Sequence, residues 1–69
     1  MAVSNQEMRN AEIIREKVYR KRLHFYEVAA FAGVSYATVN RWLRAGISEE
    51  RFERLNRAID DLDAFLRKD

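Results

Sequence analysis

Three polar side chains near the middle of the chain have the chemistry needed to read the edges of base pairs in duplex DNA. Asn40, Arg41 and Arg44 fall within one predicted helix, at spacings that place all three on its outer face. An asparagine amide can form two hydrogen bonds with adenine, and an arginine guanidinium can do the same with guanine. The pattern therefore predicts a helix whose outer face enters a major groove. The alternative is an ordinary solvated helix face.

Hydroxyl and phenol groups at the start of the same helix add possible contacts to the DNA backbone. Ser35 and Thr38 can reach phosphates, and Tyr36 can contact a phosphate or a thymine methyl group. The residues that we expect to contact DNA are Ser35, Tyr36, Ala37, Thr38, Asn40, Arg41, Arg44 and, from a separate basic segment, Arg22.

That basic segment precedes the helix and gives the chain an uneven charge distribution. Its five cations, which fall within eight residues, are Arg15, Lys17, Arg20, Lys21 and Arg22. Residues 1–47 carry eight Lys or Arg and four Asp or Glu, a net charge of +4, whereas residues 48–69 carry a net charge of −2. A basic first part favours a nucleic-acid partner over a membrane. For the basic segment itself, contact with phosphates and simple solvation both stay open.

Apolar periodicity and capping residues predict a single all-α domain over residues 1–69, a small bundle of four or five helices. Ser4 and Glu7 have the spacing of a capping box ahead of the first helix. Gly33 is expected to make the turn between two short helices, and Gly46 to end the second of them, with Ile47 folding back in a Schellman-like stop. The four predicted helices cover approximately residues 5–22, 25–32, 36–44 and 49–67.

The two middle helices have the pattern of a helix-turn-helix, in which two short helices cross at a steep angle. Ala29 must be small because the second helix crosses directly over it. The side chains expected to close the angle from inside are Val28, Val34, Val39 and Trp42. Trp42 is therefore interpreted as a core residue rather than as a stacking surface for single strands.

The segment from Phe25 to Arg44 resembles the helix-turn-helix of phage-repressor and Cro-type (XRE-like) regulators. The resemblance is carried by Val28-Ala29, by Gly33-Val34-Ser35 and by the run Thr38-Val39-Asn40-Arg41-Trp42-Leu43. It implies a lambda-repressor-like bundle that binds a palindromic operator on double-stranded DNA as a homodimer. It also implies a transcriptional regulator, a repressor or autoregulator of a phage or mobile element.

Two positions depart from that family's pattern. Members often carry glutamine at the start of the first motif helix, where it anchors a phosphate, but this chain has Phe25. The residue before the turn glycine is usually large and apolar, and here it is Ala32, with Phe31 beside it as a substitute for the missing volume.

Two other functions fit the same motif. Excisionase and MerR-like proteins, which bend DNA, use a similar motif followed by a β-hairpin wing, whereas Ser48 here begins a long predicted helix. A protein-binding antirepressor could reuse the fold, although it has no need for Asn40, Arg41 and Arg44 to point outward together.

The last predicted helix has an apolar stripe that is longer than the other helices can cover. The stripe steps at helical spacing through Phe52, Leu55, Ile59, Leu62 and Leu66. We expect its far end, formed by Leu62, Phe65 and Leu66, to lack an internal partner and to form the homodimer interface.

Composition narrows the remaining function classes. The 69 residues include no cysteine and one histidine, so neither a disulfide nor a metal site is expected, and no cofactor is implied. No carboxylate pair, nucleophile–base set or phosphate loop points to an enzyme. Neither a membrane-spanning run nor a signal peptide is evident, so we expect a cytoplasmic protein without a membrane partner.

Overall fold

Four α-helices make up the fold of residues 5–68, the part of the chain that the computed structural model describes. They are α1 (Asn5–Arg20), α2 (Phe25–Ala32), α3 (Tyr36–Ala45) and α4 (Glu49–Arg67). The predicted all-α bundle is therefore confirmed, and the bounds of α2 and α4 are those expected. Helix α3 is one residue longer than predicted and α1 two residues shorter. The predicted capping box depends on Ser4, which lies outside the described residues.

Helix α1 ends early because Arg22 adopts a left-handed backbone conformation, with φ of 58°. Its N–H donates to the carbonyl of Tyr19 at 3.0 Å, and the Leu23 N–H donates to the carbonyl of Val18 at 3.0 Å. This pair of bonds is a Schellman motif, which normally has glycine at the left-handed position. The motif turns the chain so that Leu23 enters the core.

Helix α2 begins and ends with local hydrogen bonds that suit its sequence. At its start the Glu27 carboxylate accepts the backbone N–H of His24 at 3.3 Å. At its end Gly33 has φ of 76°, and the N–H groups of Gly33 and Val34 donate to the carbonyls of Ala30 and Ala29. Gly33 thus completes a Schellman motif and makes the predicted turn.

Helix α3 ends differently from the prediction. Gly46 has φ of 102° and ψ of 155°, and its N–H donates to the Trp42 carbonyl at 2.9 Å. The expected Schellman-like return of Ile47 onto α3 is wrong, because the Ile47 N–H donates instead to the carbonyl of Glu7 in α1 at 3.0 Å. The buried Asn10 side chain completes this link by donating to the Ile47 carbonyl at 3.0 Å.

The core lies between α4 and the other helices. Helix α4 packs against both α1 and α2, and α3 packs against α1 and α2. The largest fully buried apolar side chains are Ile14, Val18, Val28, Val39, Ile47, Leu55, Ile59 and Leu62. This framework holds α3 against the bundle by one face and leaves its other face in solvent.

The expectation that Leu62 lacks an internal partner is wrong. Leu62 is only 2% exposed, because α1 and α2 cover α4 further along its length than the sequence pattern indicated. Phe65 and Leu66, one turn further on, are 62% and 52% exposed. The uncovered end of the stripe therefore begins after Leu62.

The β-hairpin wing of the excisionase and MerR-like alternative is not present in the described residues. Residues 5–68 contain no β-strand, and α4 follows α3 after only three residues. None of the four described helices is long and apolar enough to cross a bilayer.

Candidate nucleic-acid interface

Helices α2 and α3 are in contact, and small and β-branched side chains of both are buried. Ala29 is 2% exposed, and Val28 and Val39 are completely buried. Val34, in the three-residue turn between the helices, packs on the same core, and Trp42 is buried from the other end of α3. These side chains of α2, α3 and the turn are therefore buried as expected, and their burial fixes which side of α3 faces outward.

The first turn of α3 is capped by Ser35. Its Oγ accepts the Thr38 N–H at 3.1 Å, and the two hydroxyl oxygens lie 2.9 Å apart. One hydroxyl hydrogen is used between the two side chains, and the other is left to donate elsewhere. The pair can therefore hold the helix start and still donate one hydrogen bond to an anionic oxygen.

The outer face of α3 brings together five of the predicted DNA-contacting residues. In helical order they are Tyr36, Ala37, Asn40, Arg41 and Arg44. Tyr36 is half-exposed, Ala37, Arg41 and Arg44 are exposed, and Asn40 is half-buried. The short Ala37 side chain leaves a shallow depression that Arg41, Arg44 and Ala45 also line.

The polar groups on this face have no partners within the described part of the chain. Asn40, Arg41 and Arg44 make no hydrogen bond or ion pair with any other residue of 5–68. An arginine side chain stays charged at all ordinary pH values and offers five N–H donors. The face thus combines two free cations and one free amide, which suits a ligand rich in acceptors.

Most of the basic segment is committed to internal contacts. Lys17 pairs with Asp60 at 2.8 Å and Lys21 with Asp63 at 3.0 Å, both across to α4. Within α1, Arg20 pairs with Glu16 at 3.3 Å. Arg15 donates to the carbonyl of Leu43 at 3.4 Å, which ties α1 to α3. Arg15, Lys17 and Lys21 therefore link this segment to α3 and α4, and the choice between phosphate contact and solvation stays open.

Arg22 differs from the other four cations of that segment. Its side chain is exposed, and within residues 5–68 it makes no hydrogen bond or ion pair. It lies in the turn between α1 and α2 and not on α3. It is therefore a separate contact candidate, not part of the α3 face.

An aromatic pair at the start of α2 was not among the predicted contacts. The rings of His24 and Tyr26 stack with centroids 5.2 Å apart and planes 17° apart, and Tyr26 is 59% exposed. Phe25, between them, packs partly against the core, and its side chain has no hydrogen-bond donor with which to hold a phosphate. The pair forms because His24 is extended at the N-cap while Tyr26 is in the first turn of α2, and no periodic pattern in the sequence signals it.

Comparison with protein-family models, curated proteins and solved structures finds no match to this chain. Among residues 5–68, no three acidic, histidine or cysteine side chains come together as they would around a metal ion. The functional interpretation therefore depends on the geometry and chemistry of the α3 face.

Proposed function

We propose that this protein binds duplex DNA in a sequence-specific manner through α3 and regulates transcription. The observation that carries the proposal is the outer face of α3, where Asn40, Arg41 and Arg44 have no partner within residues 5–68, on a helix whose other face is buried through Val39, Trp42 and Leu43. The protein would regulate transcription by occupying its DNA site and competing there with other proteins, without catalysing a reaction.

In this proposal the outer face of α3 enters the major groove. Asn40 and Arg41 contact base edges, where an amide favours adenine and a guanidinium favours guanine. Ala37 allows the helix to approach closely because its side chain is short. Tyr36 and the Ser35–Thr38 hydroxyl pair contact the sugar-phosphate backbone on one side, and Arg22 contacts a phosphate from outside the helix.

The proposal includes a homodimer on a palindromic operator, with the two copies of α3 about 34 Å apart, one turn of the duplex. It also includes the role that the resemblance implies, repression or autoregulation in a phage or mobile element. The residues that would form the dimer interface are distinct from those that would contact DNA.

The two alternatives are less well supported by the arrangement of elements. An excisionase or MerR-like activity would be favoured by a wing after α3, but only three residues separate the end of α3 from the start of α4 at Glu49. An antirepressor that docks on another protein leaves the free amide and guanidinium groups of α3 without a purpose. Retention on duplex DNA in the absence of a protein partner distinguishes a repressor from an antirepressor.

The proposal is tested by selecting bound sequences from a random duplex library and then titrating the selected site. Arg41→Ala should cost about 1–3 kcal/mol of specific binding and relax the preference at one base pair. The matched control is Arg9→Ala, which removes the same charge from an exposed position of α1 that has no ion pair within residues 5–68. Failure to enrich any sequence, or equal affinity of the two variants, would contradict the proposal.

A further inference from the structure

The shallow depression on the outer face of α3 combines apolar walls with positive charge. The residues that line it are Ala37, Arg41, Arg44 and Ala45, and all four are exposed. Their spacings of three and four residues place them on one face of the helix. The two alanine methyl groups and the aliphatic stems of the arginines are apolar, whereas the guanidinium groups are cationic.

The side chains that line the depression can donate hydrogen bonds but cannot accept them. A guanidinium group has five N–H donors and no acceptor, and an alanine side chain has neither. Arg41 and Arg44 make no hydrogen bond or ion pair with any other residue of 5–68, so their donors stay available. A ligand that fits this surface supplies hydrogen-bond acceptors together with a small apolar group.

In the major groove, this chemistry distinguishes the bases. Guanine presents two acceptors, N7 and O6, and thymine presents the O4 acceptor beside its 5-methyl group. Adenine and cytosine each present an amino group, which is a donor and would face the arginine donors. The depression therefore favours the keto bases, guanine and thymine. Asn40, whose amide oxygen could accept from an adenine amino group, does not line it.

Ala37 lies at the end of the depression that would be nearest to the bases. The N-terminal residues of a recognition helix contact base edges, and Ala37 is the second residue of α3 whereas Ala45 is the last. Ala37 and Arg41 are four residues apart, or ~6 Å along the helix axis. Successive base pairs are ~3.4 Å apart. The bases that these two residues would contact thus lie within two base pairs of each other.

We infer that the Ala37 end of the depression receives the 5-methyl group of a pyrimidine, thymine in the first place, within two base pairs of a guanine bound by Arg41. This inference rests on the proposed function, because it names the chemical group that α3 recognises on the DNA. It makes Ala37 a specificity-determining residue, whose own methyl group contacts that of the base. The same contact makes binding sensitive to methylation of a cytosine at that position.

Changes of a single methyl group in the DNA test this inference without altering the protein. The site selected from the random duplex library should contain thymine and guanine within two base pairs of each other. Each thymine of that site is then replaced in turn by deoxyuridine, which lacks only the methyl group. One replacement should weaken binding about three- to fourfold, the effect of exposing one buried methyl group. At the same position, 5-methylcytosine should bind more tightly than cytosine by a similar factor.

Ala37→Val tests the contact from the side of the protein. The larger side chain fills the depression, so this variant should bind the thymine and deoxyuridine duplexes equally. The matched control is Ala30→Val, which makes the same change at an exposed position of α2 and should keep the preference for thymine. Both variants carry the same small cost in helix propensity. Thermal melts of the two should therefore agree, which separates lost recognition from lost folding.

Two results overturn the inference while sequence-specific binding remains. One is a selected site that has no thymine, or in which deoxyuridine replaces every thymine without loss of affinity. The other is an Ala37→Val variant that keeps the preference for thymine, which would assign the methyl contact to another residue, such as Tyr36. Failure to enrich any sequence is a different result, and it removes the proposed function together with this inference.

Discussion

At the scale of single residues, Arg22 combines two unusual properties. Its backbone has φ of 58°, a conformation that costs an L-residue about 1–2 kcal/mol relative to the right-handed region. Its side chain makes no hydrogen bond or ion pair within residues 5–68. Backbone strain of this kind is common where a side chain is needed for function, which agrees with its proposed role as a phosphate contact.

Two substitutions at this position separate stability from binding. Arg22→Gly should raise the free energy of unfolding by up to about 1 kcal/mol, because glycine adopts the left-handed conformation without strain. Arg22→Ala removes the same side chain but keeps the strained Cβ, so it should bring no such gain. Thermal melts of the three proteins measure the difference.

The same pair of variants also tests the phosphate contact. Both should weaken binding to all DNA sequences alike and reduce the log–log salt slope by about one, since both remove one cation. A stabilised glycine variant with an unchanged slope would mean that Arg22 is solvated and does not contact DNA.

At the scale of helices and turns, the sequence predicted helix ends best where a residue at the end itself determines the local backbone conformation. The start of α3 and the end of α2 follow from Ser35 and Gly33, whose residue types match their conformations. The end of α1 was mispredicted because Arg22 occupies the left-handed position of the Schellman motif, where a glycine would normally have indicated the end of the helix. The outer face of α3 was predicted correctly because its periodicity is set by the buried residues beneath it.

Long-range contacts explain the remaining errors. Ile47 binds a carbonyl in α1, forty positions earlier in the chain, and no local pattern signals that bond. The burial of Leu62 depends on how far α1 and α2 extend along α4, which is decided by packing geometry. The engagement of Lys17 and Lys21 with α4 likewise could not be inferred from the basic segment alone.

The helix crossing gives a prediction at this scale. Ala29→Leu should overpack the contact between α2 and α3 and lower the free energy of unfolding by about 1–3 kcal/mol. Ala30→Leu is the matched control, because Ala30 is the next residue of the same helix and is exposed. Equal melting temperatures for the two variants would show that α3 does not cross α2 at Ala29.

At the scale of the whole molecule, ion pairs tie the ends of the two longest helices together. The Asp63 carboxylate of α4 accepts hydrogen bonds from Lys21, in the turn just after α1, and from Arg67 in its own helix, each at 3.0 Å. The bond from Lys21, followed by that from Arg67, lowers the pKa of Asp63 below its ordinary value of 3.8. The contact from Lys21 joins the turn after α1 to the last part of α4.

The lowered pKa of Asp63 predicts how the stability of the fold changes as the pH falls. A carboxyl group whose pKa is lower in the folded state stabilises the fold above its unfolded pKa, and loses this contribution as the pH falls through its folded pKa. Asp63→Asn should therefore be less stable than the wild type at neutral pH, and the difference should shrink below pH 3.8. Thermal melts across the acid range measure this.

The control for that experiment is Glu12→Gln, which neutralises an exposed carboxylate without an ion pair in the described residues. It should leave the pH dependence of the melting temperature close to that of the wild type. A deficit for Asp63→Asn that persists undiminished in acid would mean that the contact is not electrostatic.

The hydrogen bond from Ile47 to Glu7 bears on whether α2 and α3 could be transferred to another protein without α1. The last turn of α3 runs into a residue whose N–H and carbonyl are both held by α1, through Glu7 and Asn10. A graft of residues 25–44 onto another scaffold would therefore lack the hydrogen bonds to α1 that help to fix the orientation of α3. Transplanting this motif requires carrying the first half of α1 with it, although that half is distant in sequence and contributes none of the proposed DNA contacts.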